Sequence, residues 1–119
     1  MWILVVGGAA VLERPDGGMA TLNELGCRIK SVDLWDNLEA HDFNADPPSV
    51  ILVEAIDQIE AGRAAVMRLR AVPALAEVPA LIAVTVNATQ RLDPNDGFDD
   101  FVLVPYVPVE LYTRIRRAE

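Results

Sequence analysis

The sequence predicts a doubly wound α/β domain, a parallel sheet of five strands with helices on both faces, and three observations carry that expectation. Five short apolar runs recur along the 119 residues: Trp2 to Val6, a weaker Ile29 to Val32, Val50 to Val53, Ala80 to Val84 and Phe101 to Val104. The strong runs do not alternate apolar with polar residues, as expected of strands buried on both faces. The segments between them carry helical spacing or helix punctuation, and repeated β-α-β units wind into such a sheet through right-handed crossovers. With 52% hydrophobic and 24% charged residues, the composition is that of a globular chain, and the length suits a single core.

The elements follow in order. Met1 to Leu12 lacks a basic start, is interrupted by Gly7 and Gly8, and falls far short of the roughly 20 apolar residues of a membrane span, so it reads as a buried strand. The first helix must fit before Gly26, yet Pro15-Asp16-Gly17-Gly18 breaks it, which leaves a short helix from about Gly18 to Leu25. A second helix precedes Phe43 and carries His41 near its end. In the third crossover Ile59, Ala61, Val66, Leu69 and Val72 fall near helical spacing, with Arg63, Arg68 and Arg70 for the wet side. That helix ends before Pro73, and Pro79 precedes the fourth strand. The fourth crossover holds the turn cluster Asp93-Pro94-Asn95-Asp96-Gly97, so little more than one helical turn fits ahead of it. The last helix, Pro108 to Ala118, opens on a first-turn proline, places Leu111 and Ile115 one turn apart, and ends in a basic turn that complements its dipole.

Charge and residue counts narrow the chemistry. Ten basic against eighteen acidic residues give a net charge of −8, which opposes binding to nucleic acid or to an anionic membrane. The single cysteine, Cys27, excludes an internal disulfide and a multi-thiolate metal site, and fits a reducing cytoplasm. His41 is the only histidine and reads as a surface or capping residue. No nucleophile and base pair presents itself, so the expectation is a module that is not an enzyme and uses no cofactor. Gly7-Gly8-Ala9-Ala10 follows a strand as a dinucleotide-binding turn does, but Leu12 stands where a glycine or small residue is required.

Ligand chemistry in wound sheets sits at the carboxyl ends of the strands, here Gly7-Gly8, Glu54, Thr85 and Val104-Pro105. Pro48 to Glu54, Gly62 eight residues later, Val78 to Thr85, then Asp99 to Tyr106 with Glu110-Leu111 together resemble the receiver domain of bacterial response regulators, over essentially the whole chain. The resemblance implies the strand order 2-1-3-4-5. It also implies a site in which an acidic pair ending the first strand holds Mg²⁺ together with a phosphate-accepting aspartate ending the third. At those positions this sequence has Gly7, Gly8 and Glu54. Thr85 matches the hydroxyl residue ending the fourth strand, Phe101 the switching aromatic, and Val104 stands where a lysine belongs.

One carboxylate in place of three lacks the charge and denticity that a hard cation needs, so no metal is expected. Phosphoryl transfer relies on cations at the developing charge, and here both the metal and the lysine are missing. Glu54 then has two readings: a mimic of the phosphorylated state that hydrogen-bonds Thr85 and fixes Phe101, or a solvated carboxylate without signalling meaning. The expected function is a degenerate receiver acting through protein contacts, as the N-terminal regulatory part of a longer regulator, for which winged-helix transcription regulators are the example. The alternative is a small-ligand sensor using the vacated pocket. The resemblance also implies a two-fold dimer face built from Asp99, Asp100, Glu110, Arg114 and Arg117. Of these, Glu110, Arg114 and Arg117 share a helix face by their i, i+4, i+7 spacing.

Overall fold

The computed structural model describes residues 2–33 and 43–119. The strands β1 (Ile3–Gly7), β2 (Ile29–Asp33), β3 (Val50–Ile56), β4 (Ala80–Val84) and β5 (Asp100–Leu103) pair in parallel in the order β2-β1-β3-β4-β5. Both the wound class and the order agree with the sequence expectation. The three inner strands are buried almost throughout, whereas the edge strands β2 and β5 show mixed burial, which is why their runs are the less continuous ones. His41 and the expected second helix lie outside the described residues.

Successive side chains of a strand point to opposite faces, and this alternation divides the core into two layers. Leu4 and Val6 of β1 pack with Ile51 and Val53 of β3 against Ala65, Val66 and Leu69 of one helix. Ile3 and Val5 pack with Val50 and Leu52 against Leu22, Leu111 and Ile115 on the other side. The first helix is split. One turn, α1 (Ala9–Leu12), opens directly after Gly8, earlier than the glycine–proline punctuation suggests, and α2 (Gly18–Glu24) resumes after the turn at Pro15. The long third crossover is α3 (Ile59–Arg70), and the chain closes with α4 (Pro108–Ala118). Leu111 and Ile115 are fully buried, and burying side chains of this size contributes about 1.5–3 kcal/mol each, enough to hold α4 on the sheet.

The fourth crossover is a single 3-10 stretch, Asn87–Arg91, as the turn cluster requires. Polar contacts from α3 hold it there. Arg63 Nε pairs with Asp96 Oδ1 at 2.6 Å and Arg63 Nη2 donates to the Arg91 carbonyl at 2.6 Å, while Arg91 Nη2 donates to the Asp57 carbonyl. Burial pushes the Asp96 carboxyl up, but the hydrogen bonds from Arg63 and the Asp93 N–H, with the guanidinium charge, outweigh it and hold it below the usual carboxylate range. Arg63 and Arg70, assigned by spacing to the wet side of α3, are therefore fasteners; Arg70 donates to the carbonyls of Leu75 and Val78. Among the described residues no helix is long and apolar enough to cross a membrane.

Gly62 lets α3 approach β3. A Cβ there would lie 3.0 Å from Ala55 Cβ and 3.2 Å from Ile82 Cδ1. We therefore expect Gly62→Val to destabilise the fold by about 1–3 kcal/mol through overpacking, read as a lower urea midpoint with an unchanged m-value.

Candidate functional site

Glu54 falls on the alternation of Val50 and Leu52, so its side chain enters the layer between the sheet and the α2 and α4 helices. It is 2% exposed, one of only two buried polar or charged side chains among the described residues, the other being Thr21. Its Oε2 accepts two hydrogen bonds, from the Gly18 backbone N–H at 2.9 Å and from the Tyr106 hydroxyl at 2.6 Å. Its Oε1 is buried and, among the described residues, has no hydrogen-bond partner.

Each neighbour follows from local sequence. Gly18 is the first residue of α2, where an N–H has no partner inside the helix, and the carboxylate takes that N–H. Glycine gives the room: a Cβ at position 18 would lie 3.0 Å from Glu54 Oε2 and 3.0 Å from Leu52 Cδ2, so any other residue would press both side chains aside. The break at Pro15-Asp16-Gly17-Gly18 is thus what brings a helix start onto the acidic side chain. Tyr106 follows the Val104–Pro105 peptide, which is cis, and its hydroxyl reaches Glu54 across the layer. Ile56, beside the cleft, has a φ of 63°, an outlier for a β-branched residue that costs on the order of 1–3 kcal/mol. The register shift between Glu54 and Ile56 accompanies it, and the Ile56 carbonyl accepts the Thr85 N–H at 2.9 Å.

Burial pushes the Glu54 carboxyl above its ordinary value of 4.5, with the Tyr106 and Gly18 hydrogen bonds and the Arg14 charge pulling against it. Burial and the adjacent carboxylate push the Tyr106 phenol up, so it remains a donor throughout the accessible pH range. Arg14 and Asp16 form an ion pair at 3.2 Å at the mouth of a cleft of about 180 Å³, floored by Glu54 and bounded by Thr85, Val104 and Tyr106.

The sequence-designated residues come together only in part. Gly7, Glu54, Thr85 and Val104 surround one region, and Gly7 lies beside Glu54: a Cβ on it would sit 3.3 Å from Glu54 Cβ. Gly8 has open space around it. The hydrogen bond expected between Glu54 and Thr85 is not formed: Oε2 accepts from Gly18 and Tyr106, Oε1 has no partner among the described residues, and Thr85 Oγ1 accepts the Ala88 N–H at 3.3 Å. Phe101 packs with Ile59, Ile82 and Val84 on the α3 side, in the layer opposite Glu54, so the relay from Glu54 through Thr85 to Phe101 has no first link. Nor is Glu54 the solvated carboxylate of the plainer reading. Sequence reasoning gave Tyr106 no role and marked Gly18 as the start of a short helix, not as a donor to Glu54.

Mg²⁺ does not fit this donor set. Gly7 and Gly8 bring no side-chain oxygen, and the Glu54 oxygen that meets its neighbours is turned to an N–H and an O–H. Among the described residues no group of three metal-ligating side chains occurs. Burial pushes the Cys27 thiol up, away from the reactive thiolate.

On the face designated for dimerisation, Arg114 Nη1 pairs with Asp100 Oδ2 at 2.9 Å and Arg114 Nε with Glu110 Oε1 at 3.5 Å, both within the chain. Arg114 also lies over the Phe101 ring. Asp99 accepts the Ala80 N–H at 2.8 Å, and Arg117 is exposed.

No protein-family model and no curated protein matches the sequence. Solved structures do resemble the fold. The chemotaxis response regulator CheY4 of Vibrio cholerae superposes with a TM-score of 0.75 at 16% identity, covering 100% of this chain and 99% of that one. The receiver domain of the sensor histidine kinase PA1611 of Pseudomonas aeruginosa, with a magnesium ion in its active-site cleft, gives 0.65 at 22% identity over 98% and 94%. The receiver domain of NtrX from Brucella abortus gives 0.65 at 18% over 98% and 96%. At these identities the likeness is one of fold.

Tyr106→Phe should expose the role of the buried contact. With the folded value of Glu54 above 4.5, its contribution to stability is complete below 4.5 and is lost as pH rises through the folded value. Removing the Tyr106 donor raises that value further. We expect the variant to lose about 1–3 kcal/mol at neutral pH and clearly less near pH 4.5 in urea unfolding, and a pH-independent loss would contradict the charged contact.

Proposed function

We propose that this chain is a receiver-type signalling module that does not take up a phosphoryl group and acts through contacts with proteins. The observation that carries this reading is the state of Glu54: at the acceptor position of the receiver fold it is 2% exposed, with Oε2 held by Gly18 and Tyr106. A phosphoryl donor has no open carboxylate to meet. Gly7 and Gly8 give no ligands for a metal, and Val104 gives no cation for the developing charge. Glu54 instead joins β3 to the start of α2 and to the segment between β5 and α4, fixing in one arrangement the strand-end segments that a receiver rearranges. In this reading the domain is the regulatory part of a longer cytoplasmic regulator, with its output set by expression or by partner binding.

The vacated cleft as a small-ligand site is the second reading. One observation favours it, the buried Glu54 Oε1 with no partner among the described residues, since such an oxygen lacks a donor that a ligand could supply. A metabolite that raises the melting temperature in the wild type and not in Glu54→Gln would favour it.

Incubation with acetyl phosphate, or with beryllofluoride, in the presence of Mg²⁺ should leave the mass, the amide NMR spectrum and the melting temperature unchanged. A phosphorylated species, or a Mg²⁺-dependent shift at Glu54 and Thr85, would overturn the first reading.

For self-association we propose the α4 face, where Glu110 and Arg117 stand beside exposed Val109 (70%) and Tyr112 (38%). Because Arg114 is already paired within its chain, Arg117 is the informative residue. Arg117→Glu should shift a dimer to monomer in sedimentation at low salt, and Arg68→Glu on α3 should not; the reverse pattern places the interface elsewhere.

A further inference from the structure

In a wound sheet each crossover ordinarily lays a helix over one face. The fourth crossover supplies only Asn87–Arg91, from which a single residue, Ala88, is buried. Beside it a second cleft, of about 310 Å³, opens over the β4–β5 side of the sheet, in the layer opposite Glu54. Its lining is apolar and partly aromatic: buried Ile82, with Leu92, Phe98 and Phe101. Three carboxylates, Asp93, Asp96 and Asp100, border it.

Two of those carboxylates are in direct ion pairs and the third is not. Arg63 is committed to Asp96 at 2.6 Å and Arg114 to Asp100 at 2.9 Å. Asp93 accepts the Asn95 N–H at 2.8 Å and, among the described residues, makes no ion pair. The cleft therefore combines aromatic and aliphatic walls with one carboxylate that has no direct ion-pair partner among the described residues and feels Arg63 only at longer range, on a chain of net charge −8. Apolar bulk suits the walls, ring faces attract cations, and a carboxylate at the border fixes the position of an ammonium group. The volume is at the small end of ligand sites, about 300 Å³, and matches one fused ring system rather than a docked helix.

We infer that the cleft beside the short fourth crossover binds a small organic cation, an aromatic or fused-ring body with a short ammonium-bearing chain, with the ring between Phe98 and Leu92 and the ammonium at Asp93. This site is separate from the Glu54 cleft and does not depend on how Glu54 is read.

Two probes with the same ring and opposite charge test it: tryptamine and indole-3-propionate, titrated into the ¹⁵N-labelled protein. Tryptamine should produce saturable shifts centred on the amides of Leu92, Phe98 and Phe101, and indole-3-propionate should bind at least about fivefold more weakly, the scale of one charge pair near the surface. Asp93→Asn keeps the acceptor for the Asn95 N–H while removing the charge, and should weaken tryptamine by about the same factor with the remaining spectrum unchanged. Equal binding of the two probes, shifts that do not saturate or that centre elsewhere, or undiminished tryptamine binding in Asp93→Asn would each overturn the inference.

Discussion

A carboxylate removed from water at the end of a central strand must be given donors, and the surroundings of Glu54 are arranged to give them. The glutamate emerges from β3 into the same layer as Val50 and Leu52, among apolar side chains, and among the described residues two donors reach it, the N–H that opens α2 and the hydroxyl of Tyr106. Both depend on breaks in regular structure. α2 begins where it does because the chain turns at Pro15 and resumes at a glycine with no Cβ to strike the carboxylate. Tyr106 reaches in from a segment set by the bend at Pro105. Had α1 run on unbroken, the first free N–H groups would lie back at Ala9, at the other end of the crossover.

One consequence is that the strand-end region is tied across three elements by a single oxygen atom. Receiver-type signalling places its chemistry at these same strand ends, and here the place is filled from within the chain. The wound frame of the sheet with α3 and α4 is complete, while the end of β3 is held through Glu54 by Gly18 and Tyr106. The fourth crossover is irregular as well. It is a short 3-10 stretch fastened by Arg63 and Arg91, and it leaves the Phe98–Phe101 side of the sheet partly uncovered.

Much of the frame was legible in the sequence because it rests on burial, which writes itself into local patterns. The unalternating runs gave the inner strands, prolines and glycines marked the breaks, and Leu111 and Ile115 gave the inward face of α4. The strand ends were less legible: β3 continues past Val53 to Ile56 although its last residues include a buried glutamate and a residue of positive φ. The partners of Glu54 could not be read at all. Gly18 is 36 residues away and Tyr106 is 52, and neither spacing nor composition encodes which of several polar groups closes on a buried oxygen. Thr85 was the natural candidate by strand position, yet its hydroxyl oxygen accepts the Ala88 N–H at the start of the short fourth crossover and makes no bond to Glu54. A tyrosine directly after the proline that ends the fifth strand, in a chain with only two tyrosines, was the one available signal.

The central claim is that Glu54 is a desolvated carboxylate held by Tyr106 rather than a free strand-end acid. A ¹³C NMR titration of the side-chain carboxyl carbons in protein labelled at glutamate Cδ, with Glu54 assigned through Glu54→Gln, reads this directly. The account predicts a midpoint for Glu54 above the ordinary value of 4.5, displaced further upward in Tyr106→Phe. A Glu54 that titrates at or below 4.5, or one whose midpoint is the same with and without the Tyr106 hydroxyl, would contradict it.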